Sequence, residues 1–161
     1  MSNKNNTNNL VNAKKLAFTV DLEDRKILQV GCGGVGSSMP YLYAKHFKFS
    51  PKNVIIIDKD ETRLEPLRKK FPTIRFEKEE VTKNNYKNIV SKYGLKKGDV
   101  FVDLAWYIGT NDLLELCHEK GIHFTNTAIE QWFGSNDCNL KTAECETLYR
   151  HQHAVRKMAE K

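Results

Sequence analysis

Five times between residues 26 and 161 a short apolar run gives way to a stretch with helical spacing, and this alternation limits the fold more than any other feature. KILQVG (26–31) is a brief apolar run ending in glycine, which reads as a buried strand. NVIIID (53–58), TIRFEK (73–78), DVFVDLA (99–105) and IHFTNTA (122–128) read as four more. Helices are expected over 34–47 and 61–71, from Thr82 to a cap at Gly94, over 110–121 with Thr110 or Asn111 as cap, and over 141–161. Pro40 lies inside the first of these and fits only in its first turn or at a kink, and Pro72 stops the second. Short strands joined by helices of this length require parallel pairing and right-handed crossovers. The expected class is α/β, a doubly wound parallel sheet of five strands in the order 3-2-1-4-5.

The flanks and the composition narrow the function. Residues 1–15 carry six asparagines by position 12 and read as a disordered tail, followed by a lead-in over 16–25 that packs on the domain edge. The 161 residues fit one domain over 16–140, with a final helix over 141–161 that leads toward a second domain not included in them. No apolar run approaches the roughly 20 residues of a membrane span, and the first 15 residues lack the apolar stretch of a signal peptide. Cys32, Cys117, Cys138 and Cys145 form no CxxC pair, so the expected setting is a reducing cytoplasm. Five scattered histidines make no metal set, and GxSxG, GK[ST] and HExxH are all absent. The net charge of +6 comes from lysines scattered among acids, which reads as solvated surface and not as a nucleic-acid face.

The first strand runs straight into Gly31-Cys32-Gly33-Gly34-Val35-Gly36, a GxGxxG that opens a helix. In that setting Gly31 makes the tight turn, Gly33 and Gly34 leave the backbone open to a pyrophosphate, and Gly36 allows close helix packing. Val35 stands in the same helix-opening turn, whose free N–H groups favour an anion. Cys32 sits where a thiol pKa can fall, or is a small packing residue. Asp58 ends the second strand 22 residues after Gly36, where a carboxylate takes the ribose hydroxyls of an adenosine and repels a 2′-phosphate. NAD is therefore expected over NADP, with Lys59 and Arg63 close enough to soften the preference. Val81 is read either as packing on the adenine or as covering the core. Asp103 and Ala105, with Trp106 and Tyr107 after them, stand at the crevice end of the fourth strand, near the nicotinamide ribose or as structural residues. Glu130 and Trp132 follow the fifth strand. A carboxylate beside an aromatic there suits an organic cation, or is a solvated acid beside a packing tryptophan.

On ILQVGCGGVGSSMPYLYAKHFKF, NVIIIDKDETR, VTKNNYK, DLLELCHEKGIHFTNTAIEQW and the tail ETLYRHQHAVRKM, the chain resembles the N-terminal part of bacterial-type homospermidine synthase. That family is related to saccharopine dehydrogenase and carboxynorspermidine synthase. The resemblance covers about residues 25–160. It implies NAD as a bound redox shuttle: putrescine, or spermidine, is oxidised to an imine, the aminobutyl group passes to a second amine, and the resulting Schiff base is reduced. It implies Gly31, Gly33, Gly36 and Asp58 at the cofactor, Glu130 with Trp132 at the polyamine, and a homodimer for the full-length protein. The chain departs from the family pattern at Asp103, where asparagine is usual, at Trp106 and Tyr107, where small or acidic residues stand, and at Gln131, where proline stands. Two other readings are a stand-alone dinucleotide-binding module and an oxidoreductase acting on an amino acid.

Overall fold

The computed structural model describes residues 20–134 and 147–160. The tail expected over 1–15 and positions 141–146 of the helix expected over 141–161 lie outside the described residues, and the described helix begins only at Leu148, after an extended Thr147. Five parallel strands form the main sheet: β2 (Ile27–Val30), β4 (Val54–Asp58), β5 (Arg75–Lys78), β6 (Val100–Asp103) and β7 (His123–Asn126). Their spatial order is β5-β4-β2-β6-β7, which is 3-2-1-4-5 counted along the predicted strands. Helices cover both faces. α1 (Met39–His46) and α2 (Glu61–Lys70) send Tyr43, Leu64 and Leu67 onto Ile27, Val54, Ile56 and Val102. α3 (Tyr86–Lys92) and α4 (Thr110–Lys120) send Ile89, Val90, Leu113 and Leu116 onto Leu28, Val30, Ile57 and Phe101. Both faces are buried, so the central strands are apolar at successive positions and do not alternate. α5 (Leu148–Ala159) follows.

Three local expectations are corrected. The first helix does not begin at 34: residues Gly36–Ser38 form a 3-10 turn and the α-helix starts at Met39. Pro40 then falls in the first helical turn, where its missing N–H costs nothing. The same helix ends at His46, and Phe47–Phe49 becomes a strand, β3, pairing in parallel with β1 (Val20–Leu22) as a separate two-stranded sheet. The lead-in thus packs at the domain edge as a strand. Finally, α4 is preceded by Gly109 and has no side-chain cap. Thr110 is buried instead, and its hydroxyl ties the helix to the loop after β7. Gly121 closes α4 with a left-handed φ of 65°, in line with a helix expected to end there.

Candidate cofactor site at the carboxyl edge of the sheet

The carboxyl ends of β2, β4 and β6 meet at the glycine loop, and backbone contacts explain its glycines. Gly31 has φ +96°, and a Cβ there would lie 2.7 Å from the Leu104 carbonyl carbon and 2.8 Å from the Ala105 nitrogen. A Cβ on Gly36 would sit 2.2 Å from the Gly31 carbonyl oxygen, so no other residue fits without moving the loop. Gly33 and Gly34 are different. A Cβ on Gly34 would meet nothing within 4 Å, and one on Gly33 would meet only the Arg63 guanidinium at 3.6 Å. Those two glycines leave backbone open on the accessible side of the loop.

The loop's hydrogen bonds leave donors free. Gly31 N–H donates to the Ile57 carbonyl at 2.8 Å, and Cys32 N–H donates to Asp58 Oδ2 at 2.6 Å. No group among the described residues accepts from the N–H of Gly33, Gly34 or Val35. Three accessible donors at the opening turn of a helix form a nest suited to an anion.

Asp58 is almost fully buried at the end of β4. Its Oδ2 holds the loop through Cys32, and its Oδ1 accepts from Asp60 N–H at 2.8 Å. Arg63 stands 4.0 Å from Oδ2 and 3.3 Å from an Asp60 oxygen. The carboxylate therefore braces the loop, and its charge is partly offset by Arg63. Lys59 is exposed and turns to Glu80, 3.6 Å away. The Cys32 thiol does not become acidic. Burial and the Asp58 charge push it up to about 11, against a smaller opposing pull from Arg63, so it is a packing residue.

Gln29 and Tyr43 have a place in the site that no motif signals. Gln29 is fully buried in β2, where its amide donates to the carbonyls of Gly31 and Gly36, both at 2.9 Å. A polar residue within a strand covered on both faces was the available signal.

The far side of the crevice is acidic and aromatic. Asp103, at the end of β6, is buried and accepts from Ala105 N–H at 3.1 Å. Burial pushes its carboxyl up to about 7, with the nearby Glu130 charge adding to the rise and the Ala105 bond opposing it. Glu130 is half-buried and fixed by its backbone: its N–H donates to Thr110 Oγ1 at 2.9 Å and its carbonyl accepts from Thr110 N–H at 3.0 Å. Trp106 and Tyr107 are exposed, and Tyr107 has a left-handed φ of 62°.

Two expected contacts are placed differently. The Trp132 ring is buried in the core against Tyr86, and its Nε1–H donates to Asp112 Oδ2 at 2.5 Å. Its burial and these two contacts favour the reading of a packing tryptophan. Val81 likewise lies in the core with Ile57 and Ile89, which leaves little surface for an adenine. Among the described residues, no cluster of three or more His, Cys, Asp or Glu can hold a metal ion.

A sequence profile of the saccharopine dehydrogenase NADP-binding domain matches residues 27–161. The chain belongs to this family. Within it, homospermidine synthase from Mesorhizobium japonicum is 30% identical over 110 residues, covering 67% of this chain and 22% of its own length. Homospermidine synthase from Blastochloris viridis is 31% identical over 115 residues, covering 69% and 23%. The crystal structure of homospermidine synthase from Legionella pneumophila in complex with NAD superposes with a TM-score of 0.71 at 22% identity, over 87% of this chain and 28% of that one. The chain thus spans about a quarter of the length of these relatives, and the saccharopine dehydrogenase NADP-binding domain accounts for its whole main sheet. No helix among the described residues is long and apolar enough to cross a membrane.

Proposed function

We propose that this chain is the NAD-binding part of a homospermidine synthase, acting on putrescine or spermidine in the cytoplasm within a homodimeric full-length enzyme. The division is a cofactor domain over 16–140 and a C-terminal segment over 141–161, which contains α5 and leads to a substrate domain. One observation carries the reading. Three unpartnered loop N–H groups stand beside the Asp58 carboxylate, in a chain whose curated relatives are homospermidine synthases. The residues fit the cofactor. Gly33, Gly34 and Val35 offer donors to a diphosphate, and the remaining lone pairs of Asp58 accept from ribose hydroxyls while its charge opposes a 2′-phosphate. NAD, when bound, supplies a hydride acceptor that returns the hydride within the same turnover. Asp103 and Ala105 line the nicotinamide side, and Glu130 pairs with one ammonium of the amine. The carboxylates of Asp103 and Glu130 at the ends of β6 and β7 support an amine over an amino acid carrying its own carboxylate. Trp132 contributes through packing.

Calorimetry with NAD and NADP tests the cofactor reading. NAD is expected to bind more tightly, and Asp58→Ala to weaken NAD and narrow the gap. The loss is about 1.5–3 kcal/mol, the value of hydrogen bonds to a charged group. Equal affinity for the two cofactors in the unsubstituted chain sinks the role of Asp58, and binding of neither sinks the function.

A further inference from the structure

We propose that Gln29 and Tyr43 form a positioning relay that locks the glycine loop in its anion-binding shape and so sets the affinity for the cofactor's diphosphate. The proposal rests on reading the loop as the dinucleotide site.

Gln29 lies in the middle of β2, in register with Ile56 on one side and Val102 on the other. The cluster on that face is otherwise mainly apolar, with Ile27, Val54, Ile56 and Val102. The amide instead makes three hydrogen bonds. Nε2 has two hydrogens, and they go to the carbonyls of Gly31 and Gly36. Those carbonyls belong to the first and last glycines of the motif. One buried side chain therefore ties both ends of the loop to the strand below, and the path of residues 32–35 between them is fixed.

The two carbonyls, which only accept, determine which way that amide faces, and Tyr43 holds its other end. Its hydroxyl, buried under α1, donates to Gln29 Oε1 at 3.0 Å. A flipped amide would set Oε1 against two carbonyl oxygens, so only one orientation satisfies all three partners. Burial raises the Tyr43 pKa, so the hydroxyl keeps its proton throughout the physiological range. The relay therefore runs from α1 through β2 to the two carbonyls. The other anchor of the loop, Cys32 N–H on Asp58, lies on its opposite side. Between these anchors the N–H groups of Gly33, Gly34 and Val35 are left pointing at no acceptor among the described residues. Preorganised donors bind an anion without first being ordered, and that advantage is what the relay supplies.

The test compares Gln29→Met, close in volume and unable to donate, with Tyr43→Phe, which keeps both donors but removes the bond that holds Oε1. Affinities for NAD, ADP and adenosine are measured by calorimetry well below each variant's melting temperature. Gln29→Met is expected to bind NAD and ADP at least tenfold more weakly, and Tyr43→Phe at least threefold. Adenosine, which carries no phosphate, is expected to keep its affinity in both. A merely structural pair would lower the melting temperature and leave the contrast between ADP and adenosine unchanged. Unchanged ADP affinity in either folded variant overturns the relay. If Gln29→Met does not fold, Tyr43→Phe decides alone. Failure of the unsubstituted chain to bind NAD or ADP overturns the dinucleotide reading and the relay together.

Discussion

At the scale of single residues, the carboxyl edge of the sheet concentrates groups whose chemistry depends on burial. Asp103 has a carboxyl pushed up to about 7 from an ordinary 3.8, so the folded chain holds a proton that the unfolded chain releases. Between about pH 4 and pH 7 the native state binds more protons, and stability falls as pH rises through that window. At about 1.4 kcal/mol per pKa unit the loss is a few kcal/mol. Asp103→Asn keeps the shape and removes the titration. Its melting temperature is expected to exceed that of the unsubstituted chain at pH 8, with the difference shrinking toward pH 4. Parallel melting curves for the two proteins across this range would refute the assignment. Trp132 shows the same dependence on surroundings. Beside a glutamate on a crevice loop it reads as a cation's partner, yet burial against Tyr86 and the bond to Asp112 make it a structural support.

At the scale of elements, α2 carries an internal strain that its sequence shows directly. Pro66 is the sixth residue of the helix Glu61–Lys70, where it removes one backbone bond. The helix persists because Asp60 caps it, its side chain accepting from Thr62 N–H at 3.0 Å, and because Leu64 and Leu67 are buried against the sheet. Arg68 adds pairs with Glu61 and Glu65. Pro66 is itself exposed, so its replacement changes no packing. Pro66→Ala is expected to stabilise the chain by about 1–3 kcal/mol in a urea titration, the upper end being the full propensity difference. A lower midpoint for Pro66→Ala would mean that the ring serves the sheet in some other way. The stretch Phe47–Phe49 teaches a related lesson. Phe47 extends the helical spacing of α1, but pairing with Val20–Leu22 draws it and the next two residues into a strand.

At the scale of the whole molecule, the sheet places one set of groups for the cofactor and another for the substrate on a single edge. The glycine loop and Asp58 stand at the ends of β2 and β4, and Asp103 and Glu130 stand at or beyond the ends of β6 and β7. The test of this division uses a full-length homospermidine synthase carrying this segment. There Glu130→Gln is expected to leave NAD affinity nearly constant and to lower turnover of putrescine at least ~100-fold, roughly 2.7 kcal/mol of barrier. Normal turnover by Glu130→Gln would move the amine site elsewhere and leave this chain with the cofactor alone.

What the residues determined by themselves is the architecture and the position of the loop. Five apolar runs separated by helical spacing admit parallel pairing only, and right-handed crossovers then order the strands. Gly31 and Gly36 mark where backbone must meet backbone, a constraint that no side chain can imitate. Asp58 follows at the end of the next strand, as the spacing requires. These are local signals, carried by periodicity and by the absence of a Cβ. The tertiary structure alone decided the rest. Tyr43 meets Gln29 across 14 positions of chain, and Cys32 meets Asp58 across 26, so neither pairing is visible in any window of sequence. Whether Trp132 faces a ligand or the core depends on Tyr86 and Asp112, which other helices bring to it. The protonation of Asp103 depends on how much water the assembled sheet excludes. Position along the chain fixed where the chemistry stands, and packing fixed which atoms remain free to take part in it.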